Sequence, residues 1–229
     1  MTSDMAQSER TRIGWHPITL GLVLVVGLSV MRAGGAAVMR KLWGDIDFEP
    51  SLRGALFLLV VFVLGSVGLI GGGLFGLAGV SWERLGWRRD RLGWEILRGL
   101  LAVVVLGVIA AMFAVVAGRF LGLKPPPTDA TQPGFTLVSI AMSVLFGFFI
   151  ASWQEECLFR GYLQPLFIER WGLWPGMLTQ AALFSVAHIG WAPSWPYFVL
   201  FFVIGIVFGW LRGRDGSLVA PFVAHGLVG

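Results

Sequence analysis

Four side chains with the chemistry of a hydrolytic site lie in the last third of this sequence. Glu155 and Glu156 are adjacent, and they follow a stretch, residues 130–154, that contains no Asp, Glu, Lys or Arg. His188 and His225 lie in later apolar segments. A charge in the core of a membrane is costly, so such residues usually have a function. Carboxylates and imidazoles together activate water, bind metals or stabilise oxyanions, which are the tasks of a hydrolase.

The spacing of one arginine separates the two carboxylates into different roles. Glu156 precedes Arg160 by four residues, which is the favourable order for an ion pair on a helix. Glu155 is rotated by about 100° from Glu156 and does not share that face. We therefore expect Arg160 to neutralise Glu156 and to leave Glu155 unpaired as a general base. An isolated Glu-Glu pair would also suit a helix end at the membrane interface.

Each histidine alone is more typical of a hydrogen-bonded packing residue, and Phe184 lies one turn before His188 on the same face. The combination indicates function, because two of only three His residues and the adjacent carboxylates fall on three different predicted spans. Two mechanisms remain open. Glu and His ligands could hold a metal that activates water, or Glu155 and His188 could activate water directly while His225 stabilises the oxyanion.

The sequence contains no HExxH motif, which favours the version without a metal. We therefore expect no cofactor, with zinc as the alternative. The single cysteine, Cys157, excludes an internal disulfide.

The composition is that of a polytopic membrane protein. Of the 229 residues, 56% are hydrophobic and 13% are charged, and the mean hydropathy is +0.79. These values exclude a soluble globular domain and make the lipid bilayer the expected surroundings. The net charge of +4 comes from arginines in predicted loops, so it indicates membrane topology, and no nucleic acid is expected as a partner.

Uncharged runs predict an all-α fold with about seven transmembrane helices. The runs are residues 13–31, 54–82, 99–118, 130–154, 171–211 and 216–229. The second run is long enough to tilt or to break at its three consecutive glycines, residues 71–73. The fifth run has 41 residues, so we expect two spans separated at residues 193–196, which read Pro-Ser-Trp-Pro. The last run has 14 residues, fewer than the ~20 that a spanning helix needs.

The distribution of basic residues predicts the orientation of these spans. Placing the arginine-rich loop, residues 83–98, in the cytoplasm leaves eleven basic residues inside and six outside, with Arg32 among the outer six. This bias predicts a multi-pass protein of the cell inner membrane with a cytoplasmic N-terminus. We expect one membrane-embedded domain, residues 1–229, in which residues 136–229 carry the catalytic motifs.

Three motifs resemble a known family. The segments are EExxxRG at residues 155–161, FxxxH at residues 184–188 and GSLxAPxxxH at residues 216–225, and a Trp-Arg-Arg loop precedes the third span. In order, spacing and placement they are similar to the CPBP family of CAAX-protease and bacteriocin-processing intramembrane endopeptidases, also called Abi or Rce1-like. The motif match covers roughly the last 75 residues of the chain.

The resemblance implies hydrolysis of a peptide bond within the membrane. Glu155 then matches the catalytic glutamate, His188 its water-activating partner and His225 the histidine on the oxyanion side. Glu156 and Arg160 match the supporting pair, and Phe184 belongs to the second motif. The family often has Asn four residues after the last histidine, where this sequence has Gly229, which has no side-chain donor. Members have been described as metal-dependent and as glutamate-dependent.

The sequence therefore predicts a glutamate-type intramembrane endopeptidase that acts on a membrane-associated or lipidated peptide or protein. Two alternatives stay open. One is a non-catalytic family member that binds a membrane peptide as an immunity or scaffold protein, which the glycine at position 229 favours. The other is a proton-coupled transporter that uses the Glu and His residues as a relay, against which stands the absence of an internal repeat of spans.

Overall fold

The structure, a computed structural model, describes residues 15–43, 59–61, 63–123, 137–189 and 194–228. All regular secondary structure within these ranges is helical, which confirms the predicted all-α membrane fold. A helix satisfies its own backbone hydrogen bonds, as a lipid environment requires. Residues 124–136, Pro193 of the predicted break and Gly229 lie outside the described ranges.

The described residues of the N-terminal half form four helices. They are α1 (Trp15–Trp43), α2 (Leu64–Leu77), α3 (Trp82–Leu85) and α4 (Leu92–Leu121). The α2 helix is π-helical and continues through the three consecutive glycines, so the break considered at residues 71–73 does not occur. The short α3 helix begins at Ser81, whose hydroxyl accepts a hydrogen bond from the Arg84 amide, and it ends at Gly86 with φ of 99°.

The C-terminal half is built around one long helix, α5, at residues 137–171. Its α-helical segments are Leu137–Leu145, Trp153–Glu155 and Gln164–Trp171, and its π-helical segments are Phe146–Ser152 and Glu156–Leu163. The uncharged run that holds the predicted fourth span ends at Gln154, and the helix continues beyond it to Trp171. Glu155 and Glu156 therefore lie in the middle of a helix, which removes the reading in which they anchor a helix end.

Three further helices complete the described chain: α6 (Leu173–Val186), α7 (Pro196–Asp215) and α8 (Val219–Val228). The 41-residue uncharged run is thus divided between α6 and α7, as its length predicts. Pro196 is the first residue of α7, where a missing amide hydrogen costs no hydrogen bond.

Four helices among the described residues are long and apolar enough to cross a membrane. They are His16–Gly35 within α1, Leu59–Leu77, Leu92–Leu121 and Pro196–Asp215. The number of about seven spans stays a prediction.

The first helix packs antiparallel to α5, and this arrangement brings α1 to the three motifs of the C-terminal half. The Tyr162 hydroxyl donates a hydrogen bond of 3.0 Å to the carbonyl oxygen of Pro17 near the start of α1. Further along α1, Arg32 contacts Ile150, which precedes Tyr162 in α5. The α8 helix packs on the other side of α5, where the Ser152 hydroxyl donates to the Phe222 carbonyl oxygen at 2.8 Å.

Candidate active site

Glu155, His188 and His225 come from three parts of the chain and meet at one point. Glu155 lies in the single α-helical turn of α5 between the two π-helical segments, a type of irregularity that is frequent at functional sites. His188 follows the end of α6, and His225 lies in α8. Their Nε2 atoms are 3.9 and 3.7 Å from Oε2 of Glu155. These distances exceed that of a direct hydrogen bond, so the two Nε2 atoms face Oε2 of Glu155 without bonding to it directly.

The carboxylate of Glu155 is paired, contrary to the expectation from the sequence. Arg32 in α1 donates from Nη1 to Oε1 of Glu155. Its Nη2 donates to the carbonyl oxygen of Ile150 at 3.0 Å and to the side-chain oxygen of Gln154 at 3.5 Å. The predicted placement of Arg32 outside the membrane, on the side opposite Glu155, is therefore wrong. The physical reason is that the apolar part of α1 does not end at Met31, because the segment that is long and apolar enough to cross a membrane, His16–Gly35, includes Arg32.

The ring of each histidine is oriented by a hydrogen bond from its Nδ1 atom to an oxygen acceptor. The Nδ1 atom of His188 is 2.7 Å from the carbonyl oxygen of Phe184, and that of His225 is 2.7 Å from Oε1 of Glu156. A carbonyl or an ionised carboxylate only accepts hydrogen bonds, so Nδ1 carries the proton in each ring. In its neutral form, each imidazole therefore presents the Nε2 lone pair toward Glu155.

The predicted ion pair between Glu156 and Arg160 is present. Arg160 Nη1 lies 2.9 Å from Glu156 Oε1, and both side chains are fully buried. The same carboxylate oxygen accepts the hydrogen bond from His225, a contact that the sequence did not predict. Glu156 therefore connects the buried arginine to a histidine that faces Glu155.

Aromatic rings enclose this buried pair. The guanidinium carbon of Arg160 is 4.1 Å from the ring centroid of Phe184 and 5.0 Å from that of Phe208, as in cation–π contacts. The Phe208 ring stacks on His225 at 4.9 Å, with 21° between the planes. Phe184 also contacts the ring of His188 at 4.6 Å. Phe184 thus packs against both the buried pair and the more exposed histidine.

A narrow cleft leads to Glu155 between α1 and the end of α6. Among its lining residues are Leu28, Arg32, Phe159, His188 and Ile189. The side chains of Arg32 and His188 are 16% and 19% exposed, whereas that of Glu155 is 3% exposed. Glu155 therefore lies at the base of the cleft, with His188 and Arg32 beside its opening.

The side chains of Glu155, His188 and His225 offer atom types that bind zinc, but the charge next to them disfavours a cation. A carboxylate oxygen and two imidazole nitrogens are ligands that zinc accepts. However, the Arg32 guanidinium occupies the other oxygen of Glu155, and a positive charge there repels a divalent cation. Within the described ranges, no group of three or more His, Cys, Asp or Glu side chains has the spacing of a metal site. The described side chains therefore fit a tight zinc centre poorly.

Arg32 is the site residue that the sequence analysis missed. A basic residue directly after an apolar run is typical of a span end, and that pattern led to its placement in an outer loop. A signal against that placement is present in the sequence, because residues 33–39 contain no charged side chain and extend the helical run. The link between Glu156 and His225 had no local signal, since 69 residues separate the two side chains.

Comparisons with known proteins agree with the motifs. Residues 137–229 match the model of the family described as "Type II CAAX prenyl endopeptidase Rce1-like". An Escherichia coli protein described as "Uncharacterized 24.3 kDa protein" is 31% identical over 135 residues, which are 56% of this chain and 57% of the relative. The chain thus spans little more than half the length of this curated relative. No solved structure matches the chain significantly. The resemblance inferred from the three motifs is therefore confirmed for residues 137–229, which are similar to the Rce1-like family of type II CAAX prenyl endopeptidases.

Proposed function

We propose that this protein is an intramembrane endopeptidase that hydrolyses a peptide bond in a membrane-associated or lipidated substrate. The observation that carries the proposal is the arrangement around Glu155, whose Oε2 faces the Nε2 atoms of two histidines. The similarity of residues 137–229 to type II CAAX prenyl endopeptidases supports the same reaction class. The motif-bearing region, residues 136–229, acts within a single membrane-embedded domain, residues 1–229.

The reaction begins with a water molecule held between Glu155 and His188. The water donates one hydrogen bond to Oε2 of Glu155 and the other to the Nε2 lone pair of His188. Glu155 removes a proton as the water oxygen forms a bond to the carbonyl carbon of the substrate. A carboxylate base positioned in this way contributes about 10²–10⁴-fold to a hydrolysis rate.

The carbonyl oxygen of the substrate becomes an oxyanion in this step, and His225 stabilises it. The role requires the imidazolium form, in which Nε2–H donates to the oxyanion while Nδ1–H stays on the carboxylate of Glu156. The C–N bond then breaks, and Glu155 returns its proton to the leaving amine nitrogen. The products are an amine and a carboxylic acid, and Glu155 is again ionised.

This mechanism uses no metal. The Arg32 and Arg160 guanidinium groups, each bonded to one of the two glutamates, are the physical ground for that choice. Zinc is the alternative, and elemental analysis of active protein decides between the two. We expect activity to survive chelation with no stoichiometric metal in the protein. Activity that is lost on chelation and restored by one equivalent of zinc would replace the glutamate mechanism with a metalloprotease mechanism.

We also propose the membrane orientation that the sequence predicts, with the N-terminus in the cytoplasm. With Arg32 inside α1, five basic residues remain on the outer side against eleven on the inner side, so the bias toward a cytoplasmic N-terminus becomes stronger. We propose a multi-pass protein of the inner membrane whose partners are its peptide substrate and the surrounding lipid.

Cleavage by the purified full chain in lipid vesicles tests this function. A pool of membrane-anchored peptides is incubated with the protein in ¹⁸O-labelled water, and the products are identified by mass spectrometry. We expect new peptide termini with one ¹⁸O atom in each new carboxyl group, and none from empty vesicles. Peptides that are bound but remain intact would favour an immunity or scaffold protein. Solute uptake or proton flux without cleavage would favour a transporter.

A further inference from the structure

We infer that Arg32 is a positioning residue for Glu155, so that α1 completes the site that the C-terminal motifs begin. The inference rests on the proposed function, because it assigns Arg32 a task in the same reaction. Arg32 lies outside the segment that matches the family, residues 137–229, and none of the three motifs includes it.

The guanidinium of Arg32 holds one oxygen of Glu155 and leaves the other to the histidines. Nη1 bonds to Oε1, while Oε2 is the atom that faces His188 and His225. A carboxylate rotates readily about its last side-chain bond, and a bond to one oxygen fixes the direction of the other. Arg32 thereby aims the proton-accepting oxygen at the proposed water.

Arg32 is itself anchored on the helix that carries Glu155. Its Nη2 donates to the carbonyl oxygen of Ile150, five residues before Glu155, and to the side-chain oxygen of Gln154, the residue directly before Glu155. Gln154 is fully buried and donates in turn to the carbonyl oxygen of Val61 at 3.3 Å. These contacts give the guanidinium a fixed planar orientation, which a carboxylate-binding arginine needs for positioning.

The register of α1 against α5 places Arg32 at the level of Glu155. The hydrogen bond from Tyr162 to Pro17 fixes one end of the contact. Gly21 lies so close to the Leu163 side chain that a Cβ at this position would collide with it. Both contacts lie toward the start of α1, and the antiparallel direction then brings Arg32 alongside residues 150–155 of α5.

The charge of Arg32 also offsets the cost of burying Glu155. A carboxylate that is 3% exposed among apolar helices is costly without a bonded cation, and the other described arginine of the site, Arg160, is bonded to Glu156. A general base must be ionised before it accepts a proton. Arg32 therefore both orients the carboxylate of Glu155 and balances its negative charge.

Kinetics of Arg32→Ala in the full-length chain, reconstituted in vesicles, test the inference. We expect kcat to fall by about a hundredfold, the effect of a misplaced reacting group, with KM within about threefold of wild type. Added guanidinium should restore part of kcat because Arg32 lines the cleft and its removal leaves room for the small cation. Val30→Ala is the matched control, since Val30 is in the same helix and is 64% exposed.

A second variant keeps the test decisive if Arg32→Ala does not fold. Arg32→Lys retains the charge, but a single ammonium cannot reproduce the planar set of contacts, so we expect kcat about tenfold below wild type at unchanged KM. Wild-type kcat in either Arg32 variant, or no recovery of Arg32→Ala with guanidinium, would overturn the positioning role and leave the proposed function intact. Absence of cleavage by wild type and by Val30→Ala would instead remove the proposed function, and this inference with it.

Discussion

Glu155 and Glu156 are neighbours in the chain but lie in two different kinds of surroundings. Glu156 is enclosed, with Arg160 and His225 on one of its oxygens and phenylalanine rings around its partner. Glu155 lies at the base of a cleft, with Arg32 on one oxygen and two imidazole nitrogens facing the other at 3.7–3.9 Å. We call these surroundings the Glu156 box and the Glu155 cleft.

Consecutive residues of one helix therefore serve different purposes, with Glu156 in a structural pair and Glu155 in the proposed reaction. A rotation of about 100° per residue sends the two side chains to different faces of α5. Glu156 and its partner Arg160 are enclosed by α6, α7 and α8, whereas Glu155 also faces α1 through Arg32. His225 belongs to both, because Nδ1 bonds to Glu156 while Nε2 faces Glu155. The comparison predicts that changes in the box reduce stability and that changes in the cleft reduce turnover.

The largest effect on stability is expected from Arg160→Ala. This change leaves the fully buried Glu156 without its guanidinium partner, and breaking a buried pair costs about 3–5 kcal/mol. We expect a sharp fall in the yield of folded protein and in its unfolding temperature in detergent. Arg89→Ala, at an exposed arginine, is the control and should behave as wild type. An Arg160→Ala protein with wild-type yield and unfolding temperature would contradict the structural role of the box.

The residues of the box were predictable, because an i, i+4 pair is a local pattern. The motifs also predicted which side chains would meet around Glu155, although the histidines are 33 and 70 residues away. Arg32 was not predictable in the same way, since its contact with Glu155 spans 123 residues and depends on where α1 ends. The full extent of α5 was also not predictable from the uncharged run, because the charged residues that follow Gln154 are paired within the protein and do not end the helix.

The two histidines are expected to differ in their effect on stability, because His188 lies only in the Glu155 cleft, whereas His225 also contacts Glu156. His188→Gln and His225→Gln should each lower the cleavage rate by about 10²-fold, within the range of lost acid–base or oxyanion groups. Only His225→Gln should also lower the unfolding temperature, because it removes the charge-assisted hydrogen bond to Glu156. Measurement of both quantities for both variants checks this difference. Equal losses of stability would mean that His225 does not connect the two regions as described.

A smaller effect is expected from Phe184→Leu. Leucine keeps an apolar side chain but removes the ring that lies 4.1 Å from the Arg160 guanidinium, a contact worth about 1–2 kcal/mol where it is desolvated. We expect a modest fall in unfolding temperature and a smaller loss of activity than in His188→Gln. Phe120→Leu, at a ring of α4 that is 75% exposed, provides the comparison and should leave the unfolding temperature nearly unchanged. A large loss of cleavage rate with little change in the unfolding temperature would assign Phe184 to the Glu155 cleft instead of the Glu156 box.

The cleavage rate of folded Glu155→Gln protein in vesicles tests the proposed role of Glu155 as general base most directly. Glutamine keeps the size of the side chain but cannot accept a proton from water, so the account predicts that cleavage falls to the background of empty vesicles. Glu169→Gln, at an exposed glutamate of the same helix, should cleave as wild type does. Cleavage by Glu155→Gln at the rate of Glu169→Gln would contradict the assignment of Glu155 as the general base.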